Sequence, residues 1–125
     1  MYEPSRNLLE CHLAGFAYYD GLDVLERLVP GVRVELEAEP DNPYDPQAVA
    51  VRFEGKKLGY LPRAENQLIS QLLWFGYGSA LEARISSRAM ENHPERQFRV
   101  AIRLRDQREK VSARVRYGGR GRKDD

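Results

Sequence analysis

Two short stretches of the sequence combine aromatic side chains with polar groups that could orient a ligand. The first, GFAYYDG, contains Tyr18 and Tyr19 at the end of a predicted strand, so at least one of the two rings should face solvent. The second, DNPYDP, places Tyr44 between Asn42 and Asp45 on a proline-stiffened loop. An exposed ring can stack on a nucleic-acid base of any sequence. The alternative use of these residues is structural, with the loop side chains bonding their own backbone.

Arg63 follows closely after Tyr60 in the segment GYLPR. A lone arginine is usually a solvated cation, but here it could also contact a phosphate. The sequence gives little indication of a catalytic site. It has no phosphate-binding glycine loop, and its local spacing suggests no Ser-His-Asp or Cys-His set. We therefore expect a binding protein and not an enzyme, acting without a metal or another cofactor.

Length and composition predict one soluble globular domain. The chain has 125 residues, of which 42% are hydrophobic and 31% are charged, which is enough to close a single core. One cysteine and two histidines provide neither a disulfide framework nor the roughly four ligands of a structural zinc site. The sequence shows no signal-peptide pattern and no apolar window near the roughly 18 residues of a membrane span. A cytoplasmic location is therefore expected.

Charge is distributed unevenly along the chain. Residues 1–104 carry 12 basic and 15 acidic side chains, whereas residues 105–125 carry 8 basic and 4 acidic ones. We predict a folded domain over 1–104 and a basic, flexible tail over 105–125, which ends in the low-complexity sequence GGRGRKDD. The tail cations that could add salt-dependent attraction to a nucleic acid are Arg114, Arg116, Arg120, Arg122 and Lys123.

Hydrophobic periodicity predicts a mainly β fold. A short helical turn is expected at 22–29 and one main helix at 65–77, where an apolar stripe recurs at helical spacing. Five to six short strands with one substantial helix favour a small antiparallel β-barrel, closed or nearly closed. The predicted strands are residues 9–18, 32–38, 47–53, 57–61, 79–88 and 98–104.

Three segments in a particular order carry a resemblance to a known family. They are AGFAYYDG, then EPDNPYDPQAV, then LGYLPR. Together they resemble the HIRAN domain, which occurs in DNA-repair translocases and as a stand-alone bacterial protein. The resemblance covers residues 9–104 and implies a modified OB-like β-barrel with helical insertions.

The resemblance also implies a function, which is recognition of the 3′ end of single-stranded DNA. It implies that Tyr18 and Tyr44 hold the terminal nucleotides, that Asn42 helps to fix the end, and that Asp45 accepts a hydrogen bond from the 3′-hydroxyl. The remaining positions that it implicates are Tyr19 in the tyrosine pair, Tyr60 lining the pocket, Arg63 near a phosphate and Phe98 stacking on a base.

A departure from the family pattern stands directly before the tyrosine pair. Ala17 occupies a position where a relative has arginine, so one phosphate-binding cation is missing. An acidic body is also a poor surface for a polyanion, which leaves the basic tail to compensate. A carboxylate such as Asp45 is compatible with DNA only at the end of a DNA strand, where a free hydroxyl can donate to it. A continuing DNA strand or a 3′-phosphate would place a second negative charge beside the carboxylate.

Two other classes of function compete with DNA-end binding. A protein-interaction domain could use Tyr18, Tyr44 and Phe98 as an apolar patch, since aromatic residues are also enriched at protein interfaces. A small metal-dependent nuclease could use the aspartates that flank the turns, which are Asp20, Asp41 and Asp45. RNA remains an alternative ligand, because the sequence offers no obvious group to read a 2′-hydroxyl. A repair or replication protein is a further conceivable partner.

Overall fold

A computed structural model describes residues 7–16, 19–91 and 97–105 of the chain. Its six strands form one antiparallel sheet in the order β1-β6-β5-β2-β3-β4, which curls into a half-barrel. This confirms the predicted mainly β fold with one main α-helix and a short helical turn. In chain order the strands are β1 (Asn7–His12), β2 (Arg33–Ala38), β3 (Val49–Phe53), β4 (Lys56–Tyr60), β5 (Leu81–Arg88) and β6 (Phe98–Leu104).

The two ends of the curled sheet meet at a seam between Ala14 and Tyr60. The N–H of Ala14 donates to the carbonyl of Tyr60 at 2.8 Å, and the N–H of Tyr60 donates back to Ala14 at 2.9 Å. Gly59 makes this approach possible, because a Cβ at that position would lie 2.3 Å from the carbonyl oxygen of Ala14. The seam brings the segment that follows β1 beside the end of β4.

Strand alternation builds the core as the sequence predicts. Along β5 and β6, every second side chain up to the middle of the strand is buried, and the intervening ones are partly or fully exposed. Burial of these side chains from the concave face is the main favourable term for folding. The largest fully buried apolar side chains are Phe16, Phe98, Leu13, Leu28, Leu58, Ile69, Ile85 and Ile102.

The predicted first strand is too long at its C-terminal end. It was expected over 9–18, whereas β1 covers Asn7–His12. Gly15 has a φ of 74°, a left-handed conformation that turns the chain away from the strand direction. The other predicted strands differ from the observed ones by no more than two residues at an end.

The short helical turn expected at 22–29 forms as a 3-10 helix, Asp20–Arg27. Of the apolar residues at helical spacing, Leu25 packs against the core, whereas Leu22 and Val29 are 64% and 46% exposed. Val24 and Leu28 are the buried side chains instead. The helix is kinked at Val24, so the α-helical spacing used for the prediction does not apply there.

The predicted helix at 65–77 is observed as the shorter α1 (Gln67–Trp74). The predicted apolar stripe is only partly buried: Ile69 is buried, whereas Leu68 and Phe75 are 49% and 71% exposed. A single helix on a small sheet buries one narrow side, so the rest of the stripe remains in solvent. No helix in the described parts of the chain is long and apolar enough to cross a membrane.

Candidate nucleic-acid-binding site

A shallow pocket of about 260 Å³ opens at the seam. Ala14, Ala48 and Leu61 contribute apolar surface to its wall. The pocket also brings together six of the predicted site residues from three separate segments of the sequence. These are Tyr19, Asn42, Tyr44, Asp45, Tyr60 and Arg63.

Asn42 shapes the loop that precedes β3. Its Oδ1 accepts hydrogen bonds from the backbone N–H groups of Tyr44 at 2.8 Å and Asp45 at 3.1 Å. Its Nδ2 donates to Oε1 of Glu39 at 3.1 Å. The Asn42 side chain therefore makes the structural turn that was one of the two uses considered for this loop. The turn holds Tyr44 and Asp45 in place.

Asp45 is held from two sides. Its Oδ1 accepts the backbone N–H of Gln47 at 2.9 Å, and its Oδ2 accepts Nδ2 of Asn66 at 2.9 Å. The Nε of Arg63 lies 4.0 Å from Oδ2. The hydrogen bonds from Gln47 and Asn66, together with the nearby arginine, lower the pKa of Asp45 below its ordinary value. A carboxylate has about four acceptor positions, so Asp45 retains capacity for a donor on a ligand.

Asn66 is a site residue that the sequence analysis missed. It is 1% exposed and occupies the N-cap position of α1, but its side chain does not cap that helix. The amide donates instead to Asp45, across the pocket loop. An asparagine before a helix predicts a cap, and only the tertiary structure shows that this one serves the pocket.

A hydrogen-bonded trio supports Tyr60 at the back of the pocket. The hydroxyl of Tyr60 donates to Oε1 of Glu39 at 2.7 Å and accepts from Nζ of Lys57 at 2.8 Å. Lys57 also pairs with Oε2 of Glu39 at 2.9 Å. Burial alone would raise the pKa of Glu39, but the hydrogen bonds from Tyr60, Lys57 and Asn42 outweigh it and lower the pKa. Glu39 and Lys57 were not predicted as site residues, although both lie in or beside the motifs that carry the family resemblance.

Two of the tyrosine rings that line the pocket contact each other and a neighbouring cation. Tyr19 meets Tyr60 edge to face, with ring centroids 5.5 Å apart. The Nζ of Lys57 lies 5.4 Å from the centroid of Tyr19 and 4.9 Å from that of Tyr60. The pKa of Lys57 is raised, first by its hydrogen bond to Tyr60, so the ammonium stays charged. The aromatic surface of the pocket is therefore backed by a lysine that is itself paired with Glu39.

Tyr44 and Arg63 are the most solvent-exposed predicted residues of the pocket. Tyr44 is 82% exposed, and the side chain of Arg63 is 77% exposed. The backbone N–H of Tyr44 donates to Oδ1 of Asn42. The tyrosine ring therefore projects from a fixed turn, and both faces of the ring remain open. The open ring can receive a planar group, and the largely exposed arginine, whose contact with Asp45 is a long one of 4.0 Å, can receive an anion.

Phe98 requires a correction, because it is a core residue and not a pocket residue. It is 1% exposed, and its ring centroid lies 4.7 Å from that of Phe16. Phe98 occupies the core face of β6, so it cannot stack on a base in this fold, and it cannot join Tyr44 in an apolar patch for a partner. Tyr18 and the five tail cations lie outside the described residues.

The donor set for a metal-dependent nuclease is not assembled. Among the described residues, no three or more His, Cys, Asp or Glu side chains come together in a group that could hold a metal ion. Asp20, Asp41 and Asp45 all belong to this part of the chain, so the three aspartates considered for metal binding do not form a shared site. Asp45 is engaged with protein donors instead.

The fold agrees with the comparisons to known proteins. A family model for the HIRAN domain matches residues 7–110, so the chain belongs to the HIRAN family, a family of nucleic-acid-binding modules. No curated protein matches the sequence significantly.

Two solved structures are similar to this chain. A crystal structure of a protein from Lactobacillus plantarum shares 26% identity with a TM-score of 0.67, covering 81% of this chain and 96% of its own. The crystal structure of the HIRAN domain of human HLTF shares 20% identity with a TM-score of 0.51, covering 90% of this chain and 88% of its own. At that identity the likeness to the human domain concerns the fold alone.

Proposed function

We propose that this domain binds the 3′ end of single-stranded DNA in the pocket at the seam. The observation that carries the proposal is the pairing of an open aromatic ring, Tyr44, with a rigidly held and ionised carboxylate, Asp45, in one pocket. The ring supplies sequence-independent stacking, worth about 1–3 kcal/mol per base. The carboxylate supplies an acceptor for a terminal hydroxyl.

Asp45 provides the preference for a strand end. A free 3′-hydroxyl can donate to the carboxylate, whereas a 3′-phosphate or a continuing strand presents another negative charge. Because Asn66 and Gln47 fix the carboxylate, it cannot turn away from an unfavourable ligand without losing its own hydrogen bonds. The site therefore discriminates by repulsion as much as by attraction.

Cations around the pocket offset the repulsion between DNA and the acidic body. Arg63 lines the pocket with a largely exposed side chain, where it can meet the last internucleotide phosphate. Lys57 lies behind the rings of Tyr19 and Tyr60. The tail over 105–125 adds further positive charge, and we propose that it contributes attraction that weakens with salt. The folded domain over 1–104 then provides recognition, and the tail provides attraction.

Fluorescence anisotropy with labelled single-stranded oligonucleotides tests the proposal at low salt. We expect the wild-type protein to bind a 3′-hydroxyl end more tightly than a matched 3′-phosphate end. Tyr44→Ala should weaken both by about tenfold or more, since one stacking contact is lost. An RNA oligonucleotide of the same sequence would show whether the site also accepts a 2′-hydroxyl. Equal binding of hydroxyl and phosphate ends by the wild type would overturn end recognition.

Asp45→Asn isolates the role of the carboxylate, and Asp41→Asn is its matched control. Both variants remove one negative charge from the same loop, but only Asp45 lines the pocket. We expect Asp45→Asn to bring the ratio of hydroxyl to phosphate affinity towards one, while Asp41→Asn leaves the ratio unchanged. Thermal unfolding of both variants checks that the loop still folds. An equal change in the two variants would mean that net charge, not the pocket, sets the preference.

A further inference from the structure

The outer face of the sheet carries an arginine cluster, which consists of Arg33 on β2, Arg84 on β5 and Arg103 on β6 around Glu82. The Nη2 atoms of Arg33 and Arg84 donate to Oε2 of Glu82 at 2.7 and 3.0 Å. The Nε of Arg103 donates to Oε1 at 3.0 Å. Three cations therefore share one anion, and the cluster keeps an excess of positive charge.

Glu82 holds the three guanidinium groups in a fixed arrangement. Its side chain is 10% exposed, whereas those of Arg33, Arg84 and Arg103 are 50%, 42% and 46% exposed. Arg84 is further fixed by a hydrogen bond from Nη1 to the carbonyl of Gly31 at 2.6 Å. A guanidinium has five N–H donors, and these contacts use only one or two of them in each arginine. Because each side chain is also about half exposed, an anion can reach the donors that remain.

Concave surface adjoins the arginine cluster on both sides of Glu82. A cavity of about 320 Å³ is lined by Glu82, Arg84 and Arg103. Another of about 240 Å³ is lined by Arg33 and Arg105 together with Glu82 and a second carboxylate, Glu35. The cations therefore border spaces that can accept tetrahedral anionic groups, instead of projecting from a flat surface.

The arginine cluster stands out against the rest of the body. Residues 1–104 carry more acidic than basic side chains, and several other surface cations are paired one to one with a carboxylate. These pairs are Arg27 with Glu54, Arg52 with Glu37, and Lys56 with Asp23.

We propose that the arginine cluster binds the phosphodiester backbone of a nucleic-acid strand, as a second contact separate from the 3′-end pocket. Preorganised guanidinium forks match phosphate oxygens in charge and in geometry. Such a contact carries no sequence information, and it adds affinity that weakens with salt. The inference rests on the nucleic-acid binding in the proposed function, but not on recognition of the 3′ end.

The two sites lie far enough apart to be separated by ligand length. Arg103 pairs with Asn7 at the start of β1, and the seam at Ala14 lies seven residues further along the chain. The pocket at the seam and the two cavities beside the arginine cluster have no lining residue in common. A dinucleotide can occupy the pocket without reaching the arginine cluster, whereas a strand of about 20 nucleotides can contact both.

The test compares the full-length wild type with the triple variant Arg33→Gln, Arg84→Gln, Arg103→Gln in anisotropy titrations. The probes are a labelled thymidine dinucleotide and a labelled thymidine 20-mer, each with a 3′-hydroxyl, over a series of salt concentrations. We expect 20-mer affinity to fall about tenfold at low salt, and the slope of log K against log salt to decrease by about 2, since each phosphate contact on a single strand contributes about 0.7. Dinucleotide affinity should change by less than about twofold.

A matched control removes the same charge from other parts of the surface. The variant Arg27→Gln, Arg52→Gln, Lys56→Gln lowers the net charge equally but leaves the arginine cluster intact. Because the triple variant of the cluster leaves Glu82 without cations, a quadruple variant that adds Glu82→Gln removes the stranded carboxylate as well. Circular dichroism melts identify which of the two variants is folded at the titration temperature.

Equal losses of 20-mer affinity in the cluster variants and in the matched control would overturn the proposal, as would an unchanged salt slope. In another outcome, the wild type binds hydroxyl and phosphate ends equally while only the cluster variants lose 20-mer binding. In that case the 3′-end proposal fails and the proposal for the arginine cluster is supported. If the wild type binds neither probe, both proposals fail.

Discussion

Asp45 is bound by the protein before any ligand arrives, and this has a consequence for pH dependence. Its pKa is lowered by the N–H of Gln47 and the amide of Asn66, so the carboxylate remains ionised at mildly acidic pH. A group with a lowered pKa keeps its contribution above its ordinary pKa and loses it only as the pH falls through the lowered value.

We therefore expect the preference for a free 3′-hydroxyl to be the same at pH 7 and pH 5. The comparison ligand should be a 3′-methoxy end, which lacks the donor but stays uncharged, because the charge of a terminal phosphate itself changes near pH 6. Anisotropy titrations at the two pH values measure the ratio. A preference that disappears between pH 7 and pH 5 would assign the discrimination to a group other than Asp45.

Glu82 gives a second prediction at the scale of single residues, this time for stability. Hydrogen bonding from Arg103, opposed by burial and reinforced by Arg84 and Arg33, lowers its pKa from 4.5 to about 2. The stability that Glu82 contributes is thus complete above pH 4.5 and is lost as the pH falls towards 2.

Glu82→Gln should therefore lower the melting temperature at pH 7, and the difference from the wild type should shrink as the pH approaches 2. Glu37→Gln is a suitable control, because Glu37 is 53% exposed and has one arginine partner, Arg52. An exposed pair contributes about 0–1 kcal/mol, so this control should melt close to the wild type. A Glu82→Gln deficit that is constant with pH would contradict the assignment.

The elements differ in how closely they follow their hydrophobic pattern, and α1 shows the difference most clearly. Ile69 is completely buried against the sheet, whereas Trp74 is 65% exposed at the end of the same helix. The apolar pattern placed both residues on the helix, but it did not indicate which of them faces the sheet. Only one face of a short helix can pack against a small sheet, so the other apolar residues remain exposed.

Ile69→Ala should lower the free energy of unfolding by about 2–5 kcal/mol, because it removes buried apolar volume and leaves a cavity. Trp74→Ala should cost much less, in spite of the larger side chain, because most of the ring already contacts water. Chemical denaturation of the two variants measures the difference. Comparable losses would mean that Trp74 is covered in solution.

At the scale of the whole molecule, the folded body and the tail should be separable. Deleting residues 106–125 retains Arg105, whose Nε donates to the carbonyl of Ser79 at 2.6 Å, and removes a segment with an excess of basic residues. We expect the truncated protein to melt like the full chain and to keep its preference for a 3′-hydroxyl. Its affinity should be lower, and its binding should depend less steeply on salt.

A truncated protein that loses the hydroxyl preference would show that the tail belongs to the recognition site. One that fails to melt cooperatively would place the boundary of the domain after residue 105. Far-ultraviolet circular dichroism during heating and the same anisotropy titrations distinguish these outcomes. A scrambled tail of equal composition is the matched control, because electrostatic attraction depends on charge and not on order.

Sequence alone determined five of the six strands to within two residues, the family, and six of the residues that line the pocket. Alternation in segments such as Phe98–Leu104 needs only the two-residue period of a strand, and the DNPYDP loop is recognisable because proline and asparagine restrict the backbone locally. These are short-range properties, which a chain carries before it folds.

The tertiary structure alone decided which side chains meet across the fold. Phe98 fits a stacking residue by type, but its face of β6 is covered by Phe16, and its ring belongs to the core. The position of Asn66 before α1 predicts a helix cap, yet its side-chain amide donates to Asp45 instead. The arginine cluster depends on the register of three strands that are far apart in sequence. Such long-range contacts depend on how the sheet curls and closes, and no local pattern in the sequence specifies that geometry.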